Sequence, residues 1–190
     1  MSICIFPGTF NPIHNGHLKM AEFALEKYNF DKIIFIPAYL PPHKIIDKGL
    51  ATHRYKMVEL AIKSNSKFEI SDIEYKSNGK SYSLITVKKI IEQYKISDKL
   101  NFIIGTDTLI NLDSWYKADE LKKLVHFIVF PRTGSILKQD FDNLKKQGWD
   151  FEITEMECVD VSSTEIRTNK NNKIDSQVEK YINENKLYKS

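Results

Sequence analysis

Apolar runs of strand length alternate along this chain with stretches whose apolar residues recur at helical spacing. Residues 2–6 and 32–36 are near-continuous apolar runs, the second closed by Pro37, and residues 100–104 and 125–130 repeat the pattern. Residues 150–154 form a shorter run, and residues 68–75 alternate apolar with polar positions, as a strand does. Between these runs, residues 14–28 interleave Leu18, Ala21, Phe23, Ala24 and Leu25 with charged positions. Residues 52–64 carry Met57, Leu60 and Ala61 on one face, and residues 82–94 carry Leu84, Val87 and Ile91 near helical spacing. Shorter helical stretches are expected over 108–112, 118–124, 141–147 and 163–168, with a closing helix over 176–187. Strands that are apolar on both faces belong to a parallel sheet covered by helices on both sides. Right-handed crossovers then give a doubly wound α/β fold, here with a C-terminal helical segment.

Length and composition narrow this picture. The 190 residues are expected to form one domain, 1–190, large enough to bury roughly 70% of the surface that the unfolded chain exposes. With 28 basic and 25 acidic residues the net charge is +3, too balanced to point to nucleic acid or an anionic membrane as a partner. No apolar run reaches membrane length, and the first residues, MSICIFPG, lack the basic and long apolar parts of a signal peptide. Cys4 and Cys158 are the only cysteines, which excludes a disulfide scaffold and favours a reducing, cytoplasmic setting. Only Arg54, Arg132 and Arg167 among the basic residues are arginine, so each invites a role for a rigid guanidinium fork.

Doubly wound sheets bind ligands beyond the carboxyl ends of their strands. The unusual residues fall there: GTFNPIHNGH (8–17) after the first strand, PPHK (41–44) after the second, and GTD (105–107) and PRTG (131–134) after later ones. Gly8 allows a tight turn and a close backbone approach. His14 and His17 lie three apart in the first helical turn, whose free N–H groups and positive dipole end attract anions. Gly16 costs helix stability, roughly 1 kcal/mol against Ala, and so implies that something passes close. The plainer alternatives are a pair of histidines capping a helix, or a zinc site that lacks a convincing third and fourth ligand.

With these motifs the chain resembles the HxGH nucleotidyltransferase superfamily, and within it the bacterial nicotinate-nucleotide adenylyltransferase family. The marks extend over almost the whole chain: GTFNPIHNGH, PPHK, HRYKMVELAI (53–62), SYS (81–83), IIGTD (103–107), Trp115, PRTG, SSTEIR (162–167) and YINENKLY (181–188). The resemblance implies a Rossmann-like fold in which the phosphate of nicotinate mononucleotide attacks the α-phosphorus of ATP. Nicotinate adenine dinucleotide and pyrophosphate would be the products, in NAD biosynthesis. It implies catalytic roles for His14, His17, Lys44 and Arg167. Gly8, Thr9, Phe10, Gly105, Asp107, Ser162, Ser163 and Thr164 would join His14, His17 and Arg167 in binding ATP. Asn11, His43, Lys44, Ser81, Tyr82, Ser83 and Trp115 would bind the nicotinate nucleotide, with Trp115 stacked on its ring. Mg²⁺ would be held mainly through the ATP phosphates, without a dedicated metal site in the protein. The sequence departs from the family at Pro7 and Asn11, where Gly and Asp are usual, and at Ser83, where Thr is usual. Pro7 has no N–H to offer a phosphate, and Asn11 keeps the local turn but not the charge.

Each of these residues also has a bland local reading. Ser162 with Glu165 is a capping box. His43 and Lys44 could be surface polars, Asp107 a helix cap and Trp115 core. Arg54 and Arg132 rank behind Arg167 as anion partners. Cys4, Cys158, His53 and His126 read as structural. Transfer to phosphopantetheine, flavin mononucleotide or nicotinamide mononucleotide would use the same phosphate machinery, and a non-catalytic nucleotide sensor could share the fold.

Overall fold

The near-continuous apolar runs become β1 (Ile3–Gly8), β2 (Lys32–Pro37), β3 (Phe68–Ile70), β4 (Leu100–Gly105), β5 (Val125–Phe130) and β6 (Phe151–Ile153). The structure, a computed structural model, describes residues 1–42, 47–77, 79–131, 138–156, 161–168 and 170–188. Among these residues the six strands pair in the order β3-β2-β1-β4-β5-β6, and every pairing is parallel. The order reverses between β1 and β4, the topological switch point of a doubly wound sheet.

Alternate residues of each strand feed two cores. Ile3, Ile5, Phe102, Ile104, Phe127 and Val129 pack on one side, with Leu84, Val87 and Ile90 of α3 (Ser83–Tyr94). Cys4, Phe6, Ile33, Phe35, Ile103 and Ile128 pack on the other. There they meet Met20, Ala21 and Ala24 of α1 (Asn15–Lys27) and Met57 and Val58 of α2 (Leu50–Ile62). Helices therefore cover both faces, as the two-sided apolar strands require. Each fully buried Leu, Ile or Phe contributes about 1.5–3 kcal/mol toward that layering.

Several expected bounds are adjusted, among them the helices expected over 118–124 and 141–147, which span Ala118–Leu121 and Lys138–Lys146. The alternation over 68–75 gives a strand of only three residues, because the Asp72 carbonyl accepts from the N–H groups of Tyr75 and Lys76 and turns the chain away. The helix expected over 108–112 begins earlier, as α4 (Thr106–Leu109), and is followed by a 3₁₀ turn (Leu112–Ser114). After α5 (Ala118–Leu121), α6 (Lys138–Lys146) and α7 (Ser163–Arg167), the closing helix α8 (Ser176–Glu184) is shorter than its pattern.

The ladder between β1 and β4 covers Cys4–Asn101 and Ile5–Phe102, whereas β1–β2 and β4–β5 each pair over six positions. The last residues of β1 and β4 border a cavity instead.

Candidate active site

That cavity, of about 920 Å³, lies at the carboxyl ends of the central strands. The loop from Gly8 to Asn11 forms one wall. Phe10 has a left-handed backbone (φ 46°), costly for a bulky residue. It is held there by packing: its ring is 2% exposed and meets Phe6 edge-on at 5.5 Å and His17 at 5.0 Å. A Cβ on Gly8 would lie 2.7 Å from Cζ of that ring. The close approach that Gly8 permits is therefore that of Phe10.

His17 lines the cavity, and its Nδ1 accepts the backbone N–H of His14 at 3.2 Å. An accepting Nδ1 leaves the proton of the neutral ring on Nε2. His14 is placed differently from the expectation that both rings face the ligand. Its ring is 2% exposed and stacks on His17, with centroids 3.6 Å apart and planes 28° apart. A Cβ on Gly16 would come within 2.9 Å of Val161 Cγ1 and 3.0 Å of His14 Nδ1, so that glycine serves packing.

Residues distant in sequence close the same wall. Ser162 caps α7, accepting from the Glu165 N–H, while the Glu165 carboxylate accepts from the Ser162 N–H and hydroxyl. These bonds hold the Glu165 carboxyl below its usual range. Ser163 Oγ donates to the Pro12 carbonyl at 2.8 Å, and Arg167 Nη1 to the Asn11 carbonyl at 2.7 Å. Asn11 Oδ1 accepts from the Tyr188 hydroxyl at 2.7 Å. Ser162, Ser163, Thr164 and Arg167 all line the cavity. With five residues, α7 offers hydroxyls and a guanidinium more than a macrodipole.

Other lining residues are aromatic and polar. Trp115 lines the cavity while packing on Phe102 and Phe127 of the core, at 6.1 and 6.4 Å. Ser81, Tyr82 and Ser83, at and just before the start of α3, line it too, with Tyr82 against Tyr116 at 4.6 Å. Gly105 and Asp107 line the cavity at the end of β4. His43, Lys44 and Arg132 lie outside the described residues, as does Cys158. His53 pairs with the Tyr181 hydroxyl and His126 with Asp150, both as structural residues.

Two residues behave in ways the sequence does not announce. Arg54, read as an anion partner, is 0% exposed and donates to the carbonyls of Thr9 (2.8 Å), Ala38 (2.6 Å) and Tyr39 (3.1 Å). It clamps together the loops after β1 and β2 and leaves anion binding to others. Glu74, 6% exposed, lines the cavity and accepts from the Thr86 hydroxyl at 2.8 Å and the Tyr39 N–H at 3.3 Å. Burial pushes its carboxyl up, against the opposing pull of Ser81, Thr86 and the Arg54 charge. A single Glu in SDIEYK carries no periodic signal, and only its partners reveal it.

A family model described as Cytidylyltransferase-like matches residues 5–169. A protein of Clostridium novyi named "Probable nicotinate-nucleotide adenylyltransferase" is 44% identical over 169 residues, covering 86% of this chain and 84% of the relative. A protein of Caldicellulosiruptor saccharolyticus with the same name is 38% identical over 198 residues, the whole of both chains. Among solved structures, nicotinic acid mononucleotide adenylyltransferase of Plasmodium falciparum, complexed with NaAD, superimposes with a TM-score of 0.78. That match covers 98% of this chain and 96% of the other at 18% identity, a likeness of fold.

Proposed function

The chain belongs to the cytidylyltransferase-like family and, within it, to the nicotinate-nucleotide adenylyltransferases, and from that premise we propose that it joins nicotinate mononucleotide to ATP. The products are nicotinate adenine dinucleotide and pyrophosphate. The observation that carries this reading is one cavity, at the switch point, lined both by phosphate-type donors (His17, Ser163, Thr164, Arg167) and by Trp115 with Ser81, Tyr82 and Ser83.

The phosphate of the mononucleotide attacks the α-phosphorus of ATP in line, and pyrophosphate leaves. A phosphomonoester has its second pKa near ~6, so the nucleophile is already ionised at neutral pH and needs no general base. The protein's task is to position two polyanions and to stabilise charge on the leaving oxygens. His17 Nε2–H donates to a phosphate oxygen, and the stacked His14 supports that ring from behind. Arg167, Ser163 and Thr164 flank the ATP phosphates, with Lys44 as the second cation of the reading, and Asp107 takes the ribose hydroxyls. Trp115 stacks on the pyridine ring, with His43 over the mononucleotide phosphate. Among the described residues no three His, Cys, Asp or Glu side chains converge on a metal site. Mg²⁺ would arrive on the ATP phosphates and would supply positive charge to the leaving pyrophosphate. We further take residues 1–190 as one nucleotidyltransferase domain acting in the cytoplasm, in keeping with the single sheet and the two cysteines.

Incubation with ATP, Mg²⁺ and each of nicotinate mononucleotide, nicotinamide mononucleotide, flavin mononucleotide and phosphopantetheine tests the reading. Dinucleotide formation should be fastest with the nicotinate nucleotide. ATP binding without turnover of any acceptor would sink it.

A further inference from the structure

Glu74 ties two segments of the cavity wall together with one carboxylate. Oε1 accepts from Thr86 on α3 at 2.8 Å, and Oε2 accepts from the Tyr39 N–H in the loop after β2 at 3.3 Å. Ser81 and Leu40 lace the same two segments together, since Leu40 N–H donates to Ser81 Oγ at 3.1 Å and Ser81 N–H to the Leu40 carbonyl at 2.9 Å. Arg54 supplies the compensating charge and grips that loop from its other side through Ala38 and Tyr39.

Burying a carboxylate is expensive, and a wall built only for stability is served as well by apolar side chains. A negative group is also an unfavourable lining for a cavity that receives anions. What a carboxylate does there that an apolar group cannot is fix two donors from separate segments at once. We propose that Glu74 is a positioning residue for the nicotinate-nucleotide end of the cavity, holding the start of α3, which lines it, against the 38–40 loop. This rests on the reading of that end as the nicotinate-nucleotide site. Glu74 acts through Thr86 and the Tyr39 backbone.

Glu74→Gln keeps the shape but removes the charge and one acceptor. In steady-state assays its KM for nicotinate mononucleotide should rise about tenfold, while kcat and the KM for ATP change by less than about twofold. Thr86→Val deletes one donor and leaves the carboxylate in place. It should raise the same KM about threefold, and it carries the test if Glu74→Gln does not fold. Calorimetric titration of each variant with nicotinate mononucleotide alone should rank the affinities in the same order. Unchanged KM in the folded variants, or a fall in kcat with both substrates affected alike, overturns the positioning role and leaves the wild-type reaction standing. A wild-type protein that does not turn over nicotinate mononucleotide overturns the underlying reading, and the role of Glu74 with it.

Discussion

At the scale of single residues, one hydrogen bond decides what His17 can offer. With Nδ1 occupied by the His14 N–H, the ring presents a donor at Nε2 without needing to be protonated. His17→Ala should lower kcat by about 10²–10³, the loss typical of one preorganised donor, as read from pyrophosphate release. Gly8 poses a different constraint, because its missing side chain is the space occupied by Phe10. Gly8→Ala should destabilise the fold by about 1–3 kcal/mol in chemical denaturation, since the buried ring has little room to retreat. The HNGH spacing announces that both histidines share a turn, but not that one ring lies beneath the other. That depends on Val161 and on packing around Gly16, neither of which is visible in local sequence. Arg54 and Glu74 are hidden for the same reason. Their meaning lies in which carbonyls and N–H groups the strand ends leave unpaired, a property of the assembled sheet.

Among elements, legibility follows burial. β1, β2, β4 and β5 are apolar on both faces, so their runs stand out within a residue or two of their ends, whereas β3 sits at the sheet edge and its alternation continues into a turn. The loops after β1 and β2 have no such pattern, and Arg54 makes them one unit. Arg54→Met should cost about 3–5 kcal/mol, measured by urea unfolding, because it strips the carbonyls of Thr9, Ala38 and Tyr39 of a charged donor. The SSTEIR motif is a capping box and a cavity wall together, which is why its plain and functional readings were never in competition.

For the whole molecule, burial of tyrosine sets an alkaline limit. Burial pushes the Tyr75 phenol up to about 12, and burial likewise raises Tyr188. Tyr28 and Tyr94 are raised by burial and by neighbouring Glu152 and Glu69 respectively. A folded-state value above the unfolded one contributes stability below pH ~10, and that contribution is lost as pH rises through the folded value. Stability should therefore decline above pH ~10, with these four phenols ionising together with loss of the fold. Ionisation of Tyr28, Tyr75, Tyr94 and Tyr188 in a fully folded protein at pH ~11 would contradict this. The docking of α7 has a quieter consequence. The bonds from Ser163 to Pro12 and from Arg167 to Asn11 span 151 and 156 positions, yet they anchor a helix of barely more than one turn. Such a piece can detach while the sheet stays shut, so deuterium should reach its amides long before those of β1 or β4, and a bound nucleotide bridging the two sides should slow that entry first.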